Sequence, residues 1–196
     1  MGKLDIVRAG SAVLRMRSAE VAPEELGSKG LRELVKNMVE AMRRAPGVGL
    51  AAPQLGVSKR VIVLEDAERL MATLSANKRA ERERVVFSLK AIVNPALTVI
   101  EAEPRTFFEG CLSVPGWSAL VTRAVEVEVT GVDVEGAPIV WRVRGWPARI
   151  LQHEIDHLDG TLYVDRMLSR TFGHNDEVGA YSGKLSVAEI RERFGA

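Results

Sequence analysis

Two histidines spaced four residues apart are the feature of this sequence that most directly implies chemistry. Residues 153–157 read HEIDH, which fits the pattern His-Glu-x-x-His. Residues four apart share one face of an α-helix, so His153 and His157 can bind one metal ion while Glu154 lies beside it as a general base. The alternative is a pair of surface histidines that match the pattern by chance. We expect His174, in a polar stretch, to be a solvated loop residue.

A catalytic metal site of this kind needs a third protein ligand and an open position for water. In one extended form of the motif a glycine and a third histidine follow. Gly160 is present here, but Tyr163 stands at the histidine position. A downstream carboxylate, Glu177 or Glu189, is a second possibility that no motif supports. The remaining candidate is Cys111, and the residues alone leave these possibilities open.

Cys111 is the only cysteine in the chain. A free cysteine is more often a small buried hydrophobe than a functional group. However, Gly110 and the Pro115-Gly116 pair predict a turn-rich, exposed edge rather than a core strand. A thiolate in such a place is a good soft ligand for a divalent ion. One cysteine also excludes an intramolecular disulfide, which is typical of a reducing compartment.

A segment rich in small residues, GVGLAAPQ at 47–54, is the third chemical feature. Its glycines and alanines leave the backbone bare, so that a ligand could approach closely. Gln54 could then donate an amide N–H to an oxyanion. An ordinary loop after a helix would have the same pattern, so this signal is weak on its own.

The helices that would position these residues follow from hydrophobic periodicity and turn residues. Apolar residues at steps of three and four predict a helix over residues 31–42. A second helix over residues 147–158, ending at Gly160, carries both histidines of the motif. A capping box predicts a further helix beginning after Ser186.

The strands are predicted by alternation of apolar and polar residues. Residues 125–129 and 139–143 alternate on either side of a Glu135-Gly136 turn and predict a hairpin. Residues 61–64 predict a short buried strand, and the highly charged residues 65–84 predict a helical excursion on the surface. Together the elements predict an α+β fold in which antiparallel β-sheets pack around a central helix that carries the HExxH motif.

Length and composition predict one catalytic domain over residues 1–196. Lys and Arg number 27 against 26 Asp and Glu, and this balance gives no electrostatic reason to expect nucleic-acid or membrane-surface binding. No apolar run approaches the roughly 18 residues that a membrane span needs. The first twenty residues lack the apolar core of a secretory signal and carry acids, which argues against an intact transit peptide.

The three motifs GVGLAAPQ, EGCLS and QHEIDHL, in this order, resemble the signature motifs of the peptide deformylases. The resemblance covers roughly residues 3 to 170. It implies an α+β fold and an enzyme that removes the N-formyl group from nascent polypeptides beginning with formyl-methionine. The partner that it implies is the formyl-Met peptide of a nascent chain; the charge balance indicates no nucleic-acid or membrane partner, and the oligomeric state stays open.

The resemblance also assigns roles to residues of this chain. It implies metal ligands at Cys111, His153 and His157, catalytic Glu154, and an oxyanion held by Gln54 and the backbone N–H of Leu112, with Gly49 lining the site. The candidates for the wall of a methionine pocket are Val48, Trp146, Ile150 and His153. The family implies Fe²⁺ as the single divalent ion, and two imidazoles with a thiolate also suit Zn²⁺, Co²⁺ or Ni²⁺.

This chain departs from the pattern of many bacterial members in two places. They have an arginine where this chain has Ser118, so the resemblance does not determine the contacts to the peptide beyond its first residue. Residues 145–149, GWPAR, resemble the organellar branch. The charged insertion at 65–84 does so too. The sequence therefore favours a mitochondrial or plastid enzyme, with the bacterial cytoplasm as the alternative.

Two other functions compete with this interpretation. An HExxH-type metallopeptidase would share the metal and the base but would need a different third ligand. A metal-stabilised binding module without turnover would need four protein ligands and would leave Glu154 without a role.

Overall fold

The structure, a computed structural model, describes residues 5–72 and 74–196. Its α-helices are α1 Lys29–Arg44, α2 Glu68–Met71, α3 Ala76–Glu81, α4 Trp146–Leu158, α5 Asn175–Ser182 and α6 Val187–Phe194. Its strands are β1 Gly49–Ala51, β2 Val61–Asp66, β3 Phe87–Cys111, β4 Val114–Val132, β5 Pro138–Arg144 and β6 Gly173–His174. The single-domain prediction includes residues 1–4 and Thr73, which lie outside the described residues.

The strands of the described chain form one antiparallel sheet in the order β1-β2-β3-β4-β5, with β6 paired to β4. The mixed helix and antiparallel sheet confirm the predicted α+β class. The HExxH helix, α4, contacts each of β1 to β5. The predicted hairpin is present as β4 and β5, with Val127 opposite Val143.

The strand β2 shows how the sheet separates two apolar layers. Its side chains alternate between the two faces. Val61 and Val63 pack with the buried face of α1, whereas Ile62 and Leu64 pack with α4. Both helices are therefore held against the sheet by burial of apolar surface, the main favourable term in folding.

The charged segment 65–84 is only partly the surface excursion that the sequence predicts. Its helices α2 and α3 are short, and its first two residues, Glu65 and Asp66, belong to β2. Its end returns to the body of the protein, where Arg84 pairs with buried Asp66 at 2.6 and 2.9 Å. The guanidinium of Arg84 also lies 5.2 Å from the ring centroid of Trp146 at the start of α4.

No helix in the described ranges is both long and apolar enough to cross a membrane.

Candidate metal centre and its pocket

Helix α4 presents the HExxH residues on its buried side. It begins after Gly145, whose φ of +70° favours glycine, and Pro147 occupies its first turn. A side chain at Gly145 would place Cβ 2.4 Å from that of Glu83, so the chain is packed closely there. Glu154 and His157 are buried, as are the apolar residues that the helix turns toward the sheet.

Cys111 reaches the two histidines from the end of β3. It pairs with Val114 across a tight turn, and its Sγ lies 3.2 Å from His157 Nε2. One potential ligand atom from each of Cys111, His153 and His157 lies within 4.8 Å of the other two. The prediction of an exposed edge at Cys111 was wrong, because the residue closes a strand and is buried beneath the turn.

Glu109 orients His153. Its carboxylate lies 3.1 Å from His153 Nδ1, which leaves Nε2 free to face the centre. Burial lowers the pKa of His153, but hydrogen bonds with Cys111 and Glu109 raise it well above the usual value. The sequence analysis assigned no role to Glu109. The signal was available, because residues two apart in a strand share a face and Glu109 precedes Cys111 by two.

A buried network of charges holds Glu109 in place. Arg123 donates to both of its carboxylate oxygens, at 3.0 and 2.9 Å, and Arg149 donates as well. Arg123 also bonds Asp156, which in turn accepts from Arg166 at 2.6 and 2.7 Å. Although burial opposes ionisation, hydrogen bonds and charge from His153 and Arg123 keep the pKa of Glu109 well below its usual range. The carboxylate therefore stays charged in the interior.

Glu154 has the opposite environment. Among the described residues its Oε2 is buried without a hydrogen-bond partner. Burial raises the pKa of its carboxyl to about 7, with His153 opposing and Glu109 adding to the shift. A cation bound beside it would lower that pKa.

Gly49 leaves the space that Glu154 occupies. A Cβ at this position would lie 2.3 Å from Glu154 Oε1 and 2.8 Å from its Cδ. Any larger residue would have to displace the carboxylate. The bare backbone predicted for residues 47–54 thus accommodates a protein side chain as well as a ligand.

Gln54 is fixed with its amide N–H groups toward Cys111. Its Oε1 accepts from Ala51 N at 2.9 Å, so its Nε2 points to Cys111 Sγ at 3.5 Å and to Ser113 Oγ at 3.3 Å. Ser113 N also lies 3.4 Å from the same sulfur. Donors around the sulfur stabilise a thiolate, the form that binds metal.

A cavity of about 640 Å³ opens onto this centre. Its lining includes nine of the ten residues that the sequence analysis assigned to the site: Val48, Gly49, Gln54, Cys111, Leu112, Trp146, Ile150, His153 and Glu154. The tenth, His157, is buried and does not line the cavity.

The other candidate ligands lie elsewhere. The hydroxyl of Tyr163 donates to the carbonyl of Trp117 at 3.0 Å, and its ring stacks on His153 with centroids 6.3 Å apart. Glu177 is exposed on α5, and Glu189 caps α6 through Ser186.

The donor set fits a borderline-soft divalent ion. A thiol and two imidazoles are ligands that zinc and iron(II) share. Within the described part of the chain, buried His157 Nδ1 also lacks a partner, and burial holds the pKa of this imidazole well below its usual value. A neutral imidazole is the form that binds metal.

Comparison with known proteins connects this geometry to a family. A family model described as polypeptide deformylase matches residues 3–172. Peptide deformylase 1A, chloroplastic, of Solanum lycopersicum is 49% identical over 168 residues, which are 86% of this chain and 61% of that protein. The mitochondrial peptide deformylase of Homo sapiens is 44% identical over 167 residues, 85% of this chain and 69% of the relative. The chain thus spans about three fifths of the length of the tomato protein.

Solved structures show the same fold. A class I type b peptide deformylase from Acinetobacter baumannii with the ligand K3U superposes with a TM-score of 0.75 at 34% identity, covering 85% of this chain and all of that chain. The same enzyme bound to Met-Ala-Ser also has a TM-score of 0.75 at 34% identity, covering 85% of this chain and 99% of that chain.

Proposed function

The chain belongs to the polypeptide deformylase family, and we propose that it hydrolyses the N-formyl group from the formyl-methionine of newly made polypeptides. The observation that carries the proposal is a buried Glu154 carboxyl whose Oε2 has no partner among the described residues, in a cavity that Cys111 and His153 of the candidate metal site also line. A base without a competing partner is free to exchange a proton with substrate or water.

The three ligands would hold one divalent ion. When bound, the ion supplies Lewis-acid polarisation and brings the pKa of a water molecule toward neutrality. We propose Fe²⁺, on the family resemblance, and the donor set equally suits Zn²⁺, Co²⁺ or Ni²⁺.

The chain's own residues then carry the reaction. Glu154 accepts a proton from the attacking water and delivers it to the departing amine, so that one carboxylate serves both steps. Gln54 Nε2 and the N–H of Leu112 donate to the oxygen of the formyl group as negative charge develops on it. Each such donor commonly contributes about 3 kcal/mol of transition-state stabilisation.

A peptide substrate fits the remainder of the cavity. Val48, Trp146 and Ile150 give an apolar wall for the methionine side chain, with His153 at its inner end. The Acinetobacter relative binds Met-Ala-Ser, the type of product that this reaction leaves. We place the whole reaction in one domain, residues 1–196.

The similar proteins include plastid, mitochondrial and bacterial ones, so they are compatible both with an organellar location and with the bacterial cytoplasm. We propose a mitochondrial or plastid enzyme, with the bacterial cytoplasm as the alternative.

The proposed function predicts strong selectivity for formyl over acetyl. An acetyl group adds a methyl that would have to fit beside Gly49 and Glu154, two residues packed so closely that a Cβ on Gly49 would lie 2.3 Å from Glu154 Oε1. Overpacking typically costs about 1–3 kcal/mol, and an acetyl carbonyl is also less electrophilic. We expect kcat/KM for formyl-Met-Ala to exceed that for acetyl-Met-Ala by at least roughly a hundredfold, or about 2.7 kcal/mol.

The experiment uses protein purified without oxygen, with its metal content measured. The Cys111→Ser variant is the control, because it replaces a thiolate ligand and should lose the ion and the activity together. Casein should remain intact, whereas a metallopeptidase would digest it. Similar rates on the formyl and acetyl peptides would contradict the proposal.

A further inference from the structure

The charged segment 65–84 ends against the residues that begin helix α4. A Cβ on Gly145 would lie 2.4 Å from Cβ of Glu83 and 3.0 Å from the carbonyl oxygen of Arg82, so the two stretches of backbone are in close contact. Glu83 has a φ of +47°, in the left-handed region that residues other than glycine rarely adopt. Its carboxylate accepts from Arg144 Nε at 3.0 Å. The end of the segment is therefore packed directly against the start of α4.

Two arginines of this segment converge on the indole of Trp146. The Cζ atoms of Arg82 and Arg84 lie 5.0 and 5.2 Å from the centroid of that ring. Arg82 Cζ also lies 5.6 Å from the ring centroid of Phe107. A guanidinium within about 6 Å of an aromatic ring is attracted to the face of the ring. We call Arg82 and Arg84 the arginine pair.

The two arginines differ in how far they depend on aromatic rings. Arg84 forms a bidentate ion pair with buried Asp66, so a carboxylate compensates its charge. The side chain of Arg82 has no ion pair or hydrogen bond with any residue that the structure describes. Burial and the like charge of Arg84 lower the pKa of the Arg82 guanidinium, with Glu81 opposing. Aromatic rings are therefore the main partners of this cation, and such attraction is stronger where water is partly excluded.

The indole of Trp146 has no hydrogen bond to fix its orientation. Among the described residues its Nε1 is buried without a partner. The side chain packs against the apolar cluster between α4 and the sheet, and the arginine pair contacts the ring from the charged segment. Because none of these contacts is a directional hydrogen bond to the indole, removal of a guanidinium should allow the ring to turn.

The position of this ring matters because the ring is part of the cavity wall. Trp146 and Arg84 line the cavity together with Glu154. Arg82 does not line that cavity. Any effect of the Arg82 guanidinium on the cavity must therefore pass through other side chains, and the indole is the one that it contacts there.

From these contacts we propose that Arg82 and Arg84 are positioning residues, which hold the indole of Trp146 in the wall of the catalytic cavity. The proposal gives the charged segment 65–84 a role in shaping that cavity. It rests on the proposed function only for the kinetic measurement, since the position of the ring can be followed without turnover. The catalytic carboxyl and the metal ligands are not part of these contacts, so substrate binding should change more than the chemical step.

The first experiment follows the indole directly by fluorine NMR. The chain has three tryptophans, so protein labelled with 5-fluorotryptophan should give three resonances, and Trp146→Leu identifies the one from Trp146. Arg82→Met keeps most of the side-chain length and removes the guanidinium. In this variant we expect the Trp146 resonance to shift or broaden while the other two stay unchanged. Arg82→Lys keeps the charge and should give a smaller change. Arg79→Met is the matched control, because Arg79 is an exposed arginine on α3 of the same segment.

The second experiment measures KM and kcat for formyl-Met-Ala. We expect Arg82→Met to raise KM about three- to tenfold and to change kcat less than about twofold. Arg79→Met should leave both constants unchanged. In a Trp146→Leu background, Arg82→Met should have no further effect on KM, because the residue through which Arg82 acts is gone. A purely structural role for Arg82 would instead add to the effect of Trp146→Leu.

An unchanged Trp146 resonance in Arg82→Met, or a displaced resonance with KM unchanged, would overturn the inference. Should Arg82→Met not fold, Arg82→Lys is judged by the same two criteria. Failure of the wild-type protein to cleave formyl-Met-Ala would instead contradict the proposed function. In that case the inference is decided by the resonance and by binding of Met-Ala-Ser, which Arg82→Met should weaken about three- to tenfold.

Discussion

The charged groups on the two faces of helix α4 differ in whether they have partners of opposite charge. Toward β3 and β4, Glu109, Arg123 and Asp156 form a network in which each charge has a partner of opposite sign. Toward the cavity, Glu154 is equally buried, yet one of its oxygens has no partner in the residues that the structure describes. The same helix therefore packs against a network of paired charges on one side and holds a buried carboxyl with an unpaired oxygen on the other.

The physical cause of the difference is visible in the two carboxyl groups. Both are buried, which disfavours a charge. Hydrogen bonds and charge from His153 and Arg123 overcome the effect of burial at Glu109 and keep its pKa low, whereas Glu154 lacks a bonded cation and burial raises its pKa to about 7. A paired charge positions its neighbours, and an unpaired one is available for proton transfer.

The largest effect is expected in the paired network. Glu109→Gln would leave Arg149 buried with neutral partners among the described residues and Arg123 with Asp156 alone, and breaking a buried ion pair typically costs about 3–5 kcal/mol. We expect the free energy of unfolding, measured in urea at equal ion content, to fall by that amount. Glu101→Gln is the control on the same strand: its pair with Arg144 is largely exposed and should contribute less than about 1 kcal/mol. Equal losses in the two variants would remove the distinction between the two faces.

On the cavity side of α4, a substitution at Glu154 should lower the turnover number and leave the free energy of unfolding nearly unchanged. Glu154→Gln keeps the shape of the side chain and removes the base, so kcat should drop at least about a hundredfold. Metal content and unfolding in urea should change little, because the carboxylate makes no buried ion pair. Loss of the ion in this variant would identify Glu154 as a ligand or a structural residue.

A smaller effect is expected at Gly49. Gly49→Ala must push the Glu154 carboxylate aside, and a displacement of about 1 Å can reduce catalysis by up to about a hundredfold. We expect a loss of ten- to hundredfold in kcat/KM on formyl-Met-Ala. Gly179→Ala is the matched control, since a Cβ at Gly179 meets nothing within 4 Å. If both variants are fully active, the contact between Gly49 and Glu154 has no role in positioning the base.

Local periodicity was sufficient to predict one part of the site. The helical repeat brings His153 and His157 to one face whatever the rest of the chain does, and a helix over residues 146–158 is present. The hairpin of β4 and β5 and the helix α1 were predicted for the same reason, because each depends on contacts between residues that are near in sequence.

Other features required contacts between distant residues. Periodicity alone could not select Cys111 as the third metal ligand over Tyr163, Glu177 or Glu189, and only the resemblance of the motifs did so. In the structure, the long pairing of β3 with β4 brings the sulfur of Cys111 beside His157. Glu109, Arg123 and Arg149 come from two strands and a helix, so nothing in their spacing indicates a network. The pairing of His174 with Trp117 likewise depends on the return of β6 to β4.

The sequence by itself thus determined the residues of the candidate site: an HExxH helix, a single cysteine in EGCLS and the GVGLAAPQ segment of small residues. Only the tertiary structure decided which charges are paired and which remain free, and where the charged segment 65–84 meets helix α4. The reason is that pairing and burial depend on neighbours contributed by remote parts of the chain. A helical or strand repeat constrains the direction of a side chain and leaves its partners undetermined.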